Sequence, residues 1–124
     1  MTDFNLVVLY VKDSGASATF YKELLGQPIV QSSPKFSVLP LGKEAMLGLW
    51  QQDAVEPPAD NKAGGGEVVF TVADAGAVRA THEAWKARGL KIAQVPTATN
   101  FGNTFVALDP DGHRLRVLAP GGVK

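Results

Sequence analysis

The feature that most constrains this chain is an order of strand, helix and glycine that occurs twice. The stretch 7–13 joins an apolar run to an aspartate and leads into a helical segment that ends at Gly26. The stretch 68–74 has the same form, and its helical segment ends at Gly89. The two aspartates lie 61 residues apart in a chain of 124. Repetition at this spacing indicates two similar units.

The first unit, residues 1–51, is predicted to contain one helix and four strands. Residues 5–12 are rich in Val and Leu and predict a buried strand. Asp13 or Ser14 can cap the helix that follows, and Gly26 can end it. Three short strands are predicted after the helix, at 28–33, 36–41 and 45–51.

The second unit, residues 66–120, repeats this plan. A strand is predicted at 66–73, and Asp74 can cap a helix at 75–88. Residues 52–65 are dense in Pro and Gly and lack periodicity, which predicts a linker between the units. The strands predicted after the second helix are 91–95, 103–108 and 113–119, with a loop at 96–103 and a turn at 109–112.

Each half therefore reads as β-α-β-β-β, which predicts an α+β fold. Neither half has enough strands to cover a sheet of its own. We therefore expect the halves to form one strongly curved, cup-shaped mixed sheet, with the helices outside and a concave face inside. At 124 residues the chain is long enough for one domain with a real core.

The composition excludes several classes of function. Twelve basic residues balance twelve acidic ones, so no net charge attracts nucleic acid or an anionic membrane. The chain has no cysteine, which excludes disulfides and thiolate metal sites and fits a cytoplasmic protein. Its apolar runs are too short for a membrane span. A cytoplasmic protein that binds neither nucleic acid nor membrane is the expectation.

Three segments carry a resemblance to a known family. They are 9–13 (LYVKD), 20–26 (FYKELLG) and 105–113 (FVALDPDGH). Together they resemble the vicinal oxygen chelate superfamily, which includes glyoxalase I, extradiol dioxygenases and bleomycin-resistance-type proteins. The resemblance covers nearly the whole chain and implies the fold of two βαβββ modules. It also implies a homodimer with a ligand site at the subunit interface.

Within that superfamily, three shorter segments are similar to phenazine-antibiotic resistance proteins. These segments are 34–36 (PKF), 45–50 (AMLGLW) and 101–105 (FGNTF). This second likeness implies a protein that binds a drug and performs no chemistry on it.

The residues at the metal positions of the superfamily argue against a metal enzyme. Its enzymes usually hold a divalent cation with four His, Gln or Glu side chains, two from each half. By register, the corresponding positions here are Leu6, Gly48, Glu67 and Arg116. Leucine and glycine offer no ligating side chain, and a guanidinium has no acceptor lone pair. We therefore expect neither a metal nor any other cofactor.

The same positions suggest a different site. Period-two alternation places Glu67 and Arg116 on one face of neighbouring strands, where we expect them to pair. The glycine at position 48 would let a flat ligand approach the backbone. Leu39 and Phe105 are further candidates for an apolar cavity wall. The predicted ligand contacts are Trp50, Phe36, Tyr10, Phe101, Asn103, Gly48, Met46, Arg116 and Glu67.

The hypothesis that follows is reversible, metal-free capture of a hydrophobic, planar aromatic molecule, such as an antibiotic. Two alternatives remain open at this point. One is a lyase, isomerase or dioxygenase with an unusual metal site, or metal-free proton transfer by Glu67. The other is a structural or regulatory module whose cavity is filled by its own side chains. His82 and His113 are interpreted as a helix-face residue and a turn residue, so no catalytic residue is assigned.

Overall fold

The chain is built from two β-α-β-β-β units. The computed structural model describes residues 2, 4–60 and 62–121. These residues divide into one compact unit up to position 60 and a second from position 62 onward. Each unit has one helix and a four-stranded mixed sheet, which confirms the predicted α+β class.

In the first unit the strand order is β1-β4-β3-β2. The first and last strands run parallel, and the other neighbours are antiparallel. A single 3₁₀ turn, Gln52–Ala54, follows the last strand. The elements are β1 (Leu6–Val11), α1 (Ser14–Leu25), β2 (Gln31–Ser33), β3 (Phe36–Leu41) and β4 (Ala45–Gln51).

The second unit has the equivalent strand order, β5-β8-β7-β6. Its first and last strands are again parallel, and its remaining pairs are antiparallel. The elements are β5 (Glu67–Thr71), α2 (Ala75–Ala87), β6 (Lys91–Thr99), β7 (Gly102–Leu108) and β8 (Arg114–Pro120). In the part of the chain that the structure describes, neither helix is long and apolar enough to cross a membrane.

Both helices begin at the predicted aspartates. The carboxylate of Asp13 accepts a hydrogen bond from the backbone N–H of Ala16 at 3.0 Å, and that of Asp74 accepts one from Ala77 at 2.8 Å. Each carboxylate satisfies a backbone donor that the first helical turn leaves without a partner. Gly26 ends α1 in the left-handed conformation, with φ of 65°. The predicted caps are confirmed.

Helix α1 covers one face of the first sheet. The hydroxyl of Ser14 donates to the carbonyl oxygen of Leu49 at 3.0 Å and lies 3.1 Å from the hydroxyl of Ser37. Since Ser14 has one hydroxyl proton, Ser37 is the donor of the second bond. Leu39 alternates with Ser37 on this face and is fully buried. The prediction that Leu39 lines a ligand cavity is therefore wrong, because it packs under the helix.

Helix α2 covers one face of the second sheet with aromatic contacts. The rings of His82 and Trp85 lie 5.3 Å and 5.6 Å from that of Phe105, and Trp85 also contacts Phe70 at 5.9 Å. All these pairs have edge-to-face geometry, which aromatic rings favour. Phe105 is therefore a core residue and not a cavity wall, and His82 lies on the buried helix face as predicted.

Two strand boundaries differ from the prediction by three residues or more. Strand β2 begins at Gln31, three residues later than expected, and β6 continues to Thr99 where a loop was predicted from residue 96. The pairing of β6 with β7 shifts register between Ile92 and Gln94 and again between Gln94 and Thr97. These irregularities interrupt the alternation of apolar and polar residues by which a strand is recognised.

Candidate ligand-binding faces

The face of the first sheet opposite α1 carries a row of three aromatic rings. The register pairs Tyr10 of β1 with Trp50 of β4, and Trp50 with Phe36 of β3. The ring centroid of Trp50 lies 6.4 Å from that of Tyr10 and 6.0 Å from that of Phe36, with both interplanar angles at 81°. Three residues predicted as ligand contacts are thus brought together. We call Tyr10, Trp50 and Phe36 the aromatic row.

Gly48 lies on the same face as the aromatic row, two residues before Trp50. A Cβ atom at Gly48 would lie 3.0 Å and 3.2 Å from two ring atoms of Phe36 and 3.3 Å from Val8. The ring of Phe36 therefore occupies the space in which a ligand was expected to approach the backbone. The missing side chain serves to seat this ring. Met46 lies further along the strand and is exposed.

The open face of the second sheet carries a charged cluster. Arg116 Nε lies 2.8 Å from Glu67 Oε1, and Arg116 Nη2 lies 2.9 Å from Glu67 Oε2. The predicted pairing of these two side chains is confirmed, in the bidentate geometry that makes such pairs strong. Arg116 Nη1 also donates to Gln94 Oε1 at 3.2 Å and to Thr104 Oγ1 at 3.1 Å.

A second arginine shares the carboxylate of Glu67. Arg114 Nε donates to Glu67 Oε2 at 3.0 Å, and Arg114 is the residue that faces Glu67 in the register of β5 and β8. The sequence prediction missed this residue. The available signal was alternation, since Arg114 and Arg116 are two positions apart and so lie on one face of the strand. We call Glu67, Arg114 and Arg116 the arginine cluster.

The arginine cluster lowers the pKa of the Glu67 carboxyl. The main cause is the hydrogen bond from Arg116, which partial burial opposes and the hydrogen bond from Arg114 reinforces. The bond to Glu67 in turn raises the pKa of Arg116. A carboxylate with a lowered pKa and both oxygens engaged is a poor proton acceptor. The geometry thus disfavours metal-free proton transfer by Glu67.

The residues at the metal positions of the superfamily that the sequence resembles do not fit a divalent cation. Leu6 and Gly48 supply no donor atom, and Arg116 holds both oxygens of Glu67. Over residues 4–60 and 62–121, no three His, Cys, Asp or Glu side chains converge in a way that could hold a metal ion.

The two remaining predicted contacts lie apart from the arginine cluster. Asn103 alternates with Thr104 along β7, so it lies on the face of Phe105, which α2 covers further along the strand. The predicted contact Asn103 therefore lies on the opposite face of the second sheet from Arg116. Phe101 lies in the tight turn between β6 and β7, where it is 76% exposed.

Comparison with known proteins shows which family the chain belongs to. The sequence model of the glyoxalase/bleomycin resistance protein/dioxygenase superfamily matches residues 3–117. The chain belongs to this superfamily. It is 26% identical over 120 residues to the phenazine antibiotic resistance protein EhpR of Enterobacter agglomerans, covering 91% of this chain and 88% of that protein.

Two solved structures have the same fold as this chain. The solution NMR structure of protein ATC0852 from Agrobacterium tumefaciens is 47% identical, with a TM-score of 0.90 over 98% of this chain and all of that one. A glyoxalase-related enzyme from Fulvimarina pelagi is 22% identical, with a TM-score of 0.81 over 95% of this chain and 88% of that one. At that identity the second likeness concerns the fold alone.

Proposed function

We propose that this member of the superfamily captures a planar aromatic small molecule, such as an antibiotic, and releases it unchanged. The protein would then confer resistance in the cytoplasm by lowering the free concentration of the compound. The observation that carries the proposal is the aromatic row, in which Trp50 is held between two rings on an open sheet face. The name of the relative from Enterobacter agglomerans points to the same class of compound.

The geometry of the aromatic row suits a flat ligand. Trp50 meets Tyr10 and Phe36 edge-to-face. Neither contact is the parallel stacking that a flat ligand ring would make on the face of Trp50. Stacking of this kind contributes about 0.5–1.5 kcal/mol beyond the burial of apolar area. The row is preorganised by the strand register, which reduces the entropy lost on binding.

The side chains at the four metal positions support binding over catalysis. Glu67 is the one residue at the metal positions with a ligating side chain, and two arginines engage it. Reversible capture needs no metal, nucleophile or general base. The metal-dependent alternative would need ligands that these positions do not supply.

The test exploits the two tryptophans of the chain, Trp50 in the aromatic row and Trp85 in the core. Unsubstituted phenazine is titrated calorimetrically into the wild-type protein and into the Trp50→Leu and Trp85→Phe variants. We expect saturable binding that weakens at least tenfold in Trp50→Leu and stays within twofold of wild type in Trp85→Phe. Equal affinity in the two variants would contradict the proposal.

Chromatography of the recovered ligand separates capture from turnover. Phenazine recovered unchanged from a stoichiometric complex after prolonged incubation supports capture. Conversion to a product, with or without added divalent metal, would favour the enzymatic alternative. Metal analysis of the protein purified without chelators completes this comparison.

We further propose that the protein is a homodimer with the ligand site at the subunit interface. Tyr10, Leu6 and Met46 are large apolar side chains left exposed on the open face of the first sheet, which favours a covering partner. Sedimentation equilibrium should give twice the mass of one chain. A monomer that binds phenazine at full stoichiometry would contradict this assembly.

A further inference from the structure

Among the residues that the structure describes, the open face of the second sheet carries more positive than negative charge. The register aligns Glu67, Arg114, Leu108 and Lys91 in one row across the four strands. Arg116 lies on the next row of the same face, opposite Val69 and Val106. Three cationic side chains thus share this face with the carboxylate of Glu67.

The two arginines differ in how many of their donors are used. A guanidinium has five N–H donors. Arg116 makes four hydrogen bonds within the chain, which leaves one donor. Arg114 uses its Nε on Glu67, and its two Nη groups find no acceptor among the described residues. Arg114 therefore retains the donors that could receive an incoming group.

The side chains of this cluster are only partly hydrated. Those of Arg116 and Glu67 are 23% and 26% exposed, and that of Arg114 is 39% exposed. A partly buried group with excess positive charge loses solvation that an anion would restore.

We propose that Arg114 is an anion-binding residue, and that the open face of the second sheet takes the carboxylate of a small organic acid. The free Nη edge of Arg114 matches the two oxygens of a carboxylate, and Lys91 adds positive charge on the same row. Glu67 beside it repels a dianion more strongly than a monoanion, which favours a carboxylate over a phosphate. This site does not depend on the aromatic row.

The test follows the arginine Nε–Hε signals in proton–nitrogen correlation spectra during titration with benzoate. Benzamide is the matched neutral probe, because it has the same ring and nearly the same shape. We expect benzoate to shift the signals of Arg114 and Arg116 saturably, with an affinity at least fivefold above that for benzamide. The benzoate affinity should fall as sodium chloride is added, because salt screens partly exposed charges.

Charge-matched variants identify the residue. Arg114→Gln should weaken benzoate binding at least fivefold, as followed on the Arg116 signal, while Arg88→Gln removes the same charge at the exposed end of α2 and should change it less than twofold. Arg114→Lys keeps the charge without the planar guanidinium, so its affinity for benzoate should lie between those of wild type and Arg114→Gln. Backbone amide spectra verify that each variant is folded.

Three results would overturn the assignment. They are equal shifts with benzamide and benzoate, unchanged benzoate affinity in Arg114→Gln, and inorganic phosphate binding the same signals as tightly as benzoate. Failure of the aromatic capture is a separate outcome, because benzoate should still shift the arginine signals in Trp50→Leu. A protein that binds phenazine but gives no benzoate shift would lose only the anion site.

Discussion

Arg116 holds both carboxylate oxygens of Glu67 through two different nitrogens of one guanidinium, at 2.8 Å and 2.9 Å. The fork fixes the orientation of both side chains, because neither can rotate without breaking two charged bonds. Since Arg114 bonds to the same carboxylate, Glu67 holds two guanidinium groups close together.

Replacing Glu67 by Gln should therefore destabilise the protein more than an ordinary surface change. The neutral amide leaves two guanidinium groups adjacent and loses three charge-assisted bonds, and we expect the free energy of unfolding to fall by about 1–3 kcal/mol. Urea denaturation measures this value. The control is Asp53→Asn, which breaks the exposed Lys35–Asp53 pair (3.2 Å) and should leave the midpoint nearly unchanged. Equal midpoints for the two variants would contradict the structural role of Glu67.

The same carboxylate predicts a pH dependence of stability. The hydrogen bond from Arg116 lowers the pKa of Glu67 in the folded protein below its ordinary value of 4.5. Its contribution is therefore fully present above that value and is lost as the pH falls through the lower folded pKa. Unfolding free energies of wild type and Glu67→Gln, measured between about pH 6 and about pH 3, should converge toward the acid end. A constant difference across that range would exclude this linkage.

Replacing Gly48 by Ala should disturb the aromatic row. The added methyl group would lie 3.0 Å from the ring of Phe36, so the ring must move, and overpacking of this kind costs about 1–3 kcal/mol. We also expect the emission of Trp50 to change in the single-tryptophan Trp85→Phe background. Combining Gly48→Ala with Phe36→Leu should recover part of the stability. A loss of unfolding free energy in the double variant that exceeds the sum of the two single losses would argue against this contact.

Replacing Gly102 by Ala should be more damaging. Gly102 has φ of 134°, and a Cβ atom there would clash with the carbonyl oxygen of Ala119. Backbone atoms of a paired strand cannot give way as a side chain can, so we expect a loss of at least about 2 kcal/mol in thermal unfolding. Gly65→Ala is the control, since a Cβ atom there would meet nothing within 4 Å. Similar melting temperatures for the two variants would refute this expectation.

The repeated element order was readable from the sequence because its signals are local. Asp13 and Asp74 cap the two helices from within a few residues, and Gly26 ends the first in the left-handed conformation. The pairing of Glu67 with Arg116 also followed from local alternation, once both were assigned to strands that should be neighbours.

The errors arose where a side chain's face depended on the whole sheet. Leu39 and Phe105 have the composition of a cavity wall, but the register turns them toward α1 and α2. Arg114 was missed because a charge at a strand end is usually solvated, and only the register shows that it faces Glu67.

The parallel pairing of the first and last strands has a consequence for how such chains arise. When both strands run in one direction, the chain enters a unit at one end of the sheet and leaves at the opposite end. A duplicated copy can then be appended without the polypeptide doubling back over what precedes it. The unit therefore lends itself to tandem repetition, and in this chain one copy carries aromatic rings on its open face and the other carries charge.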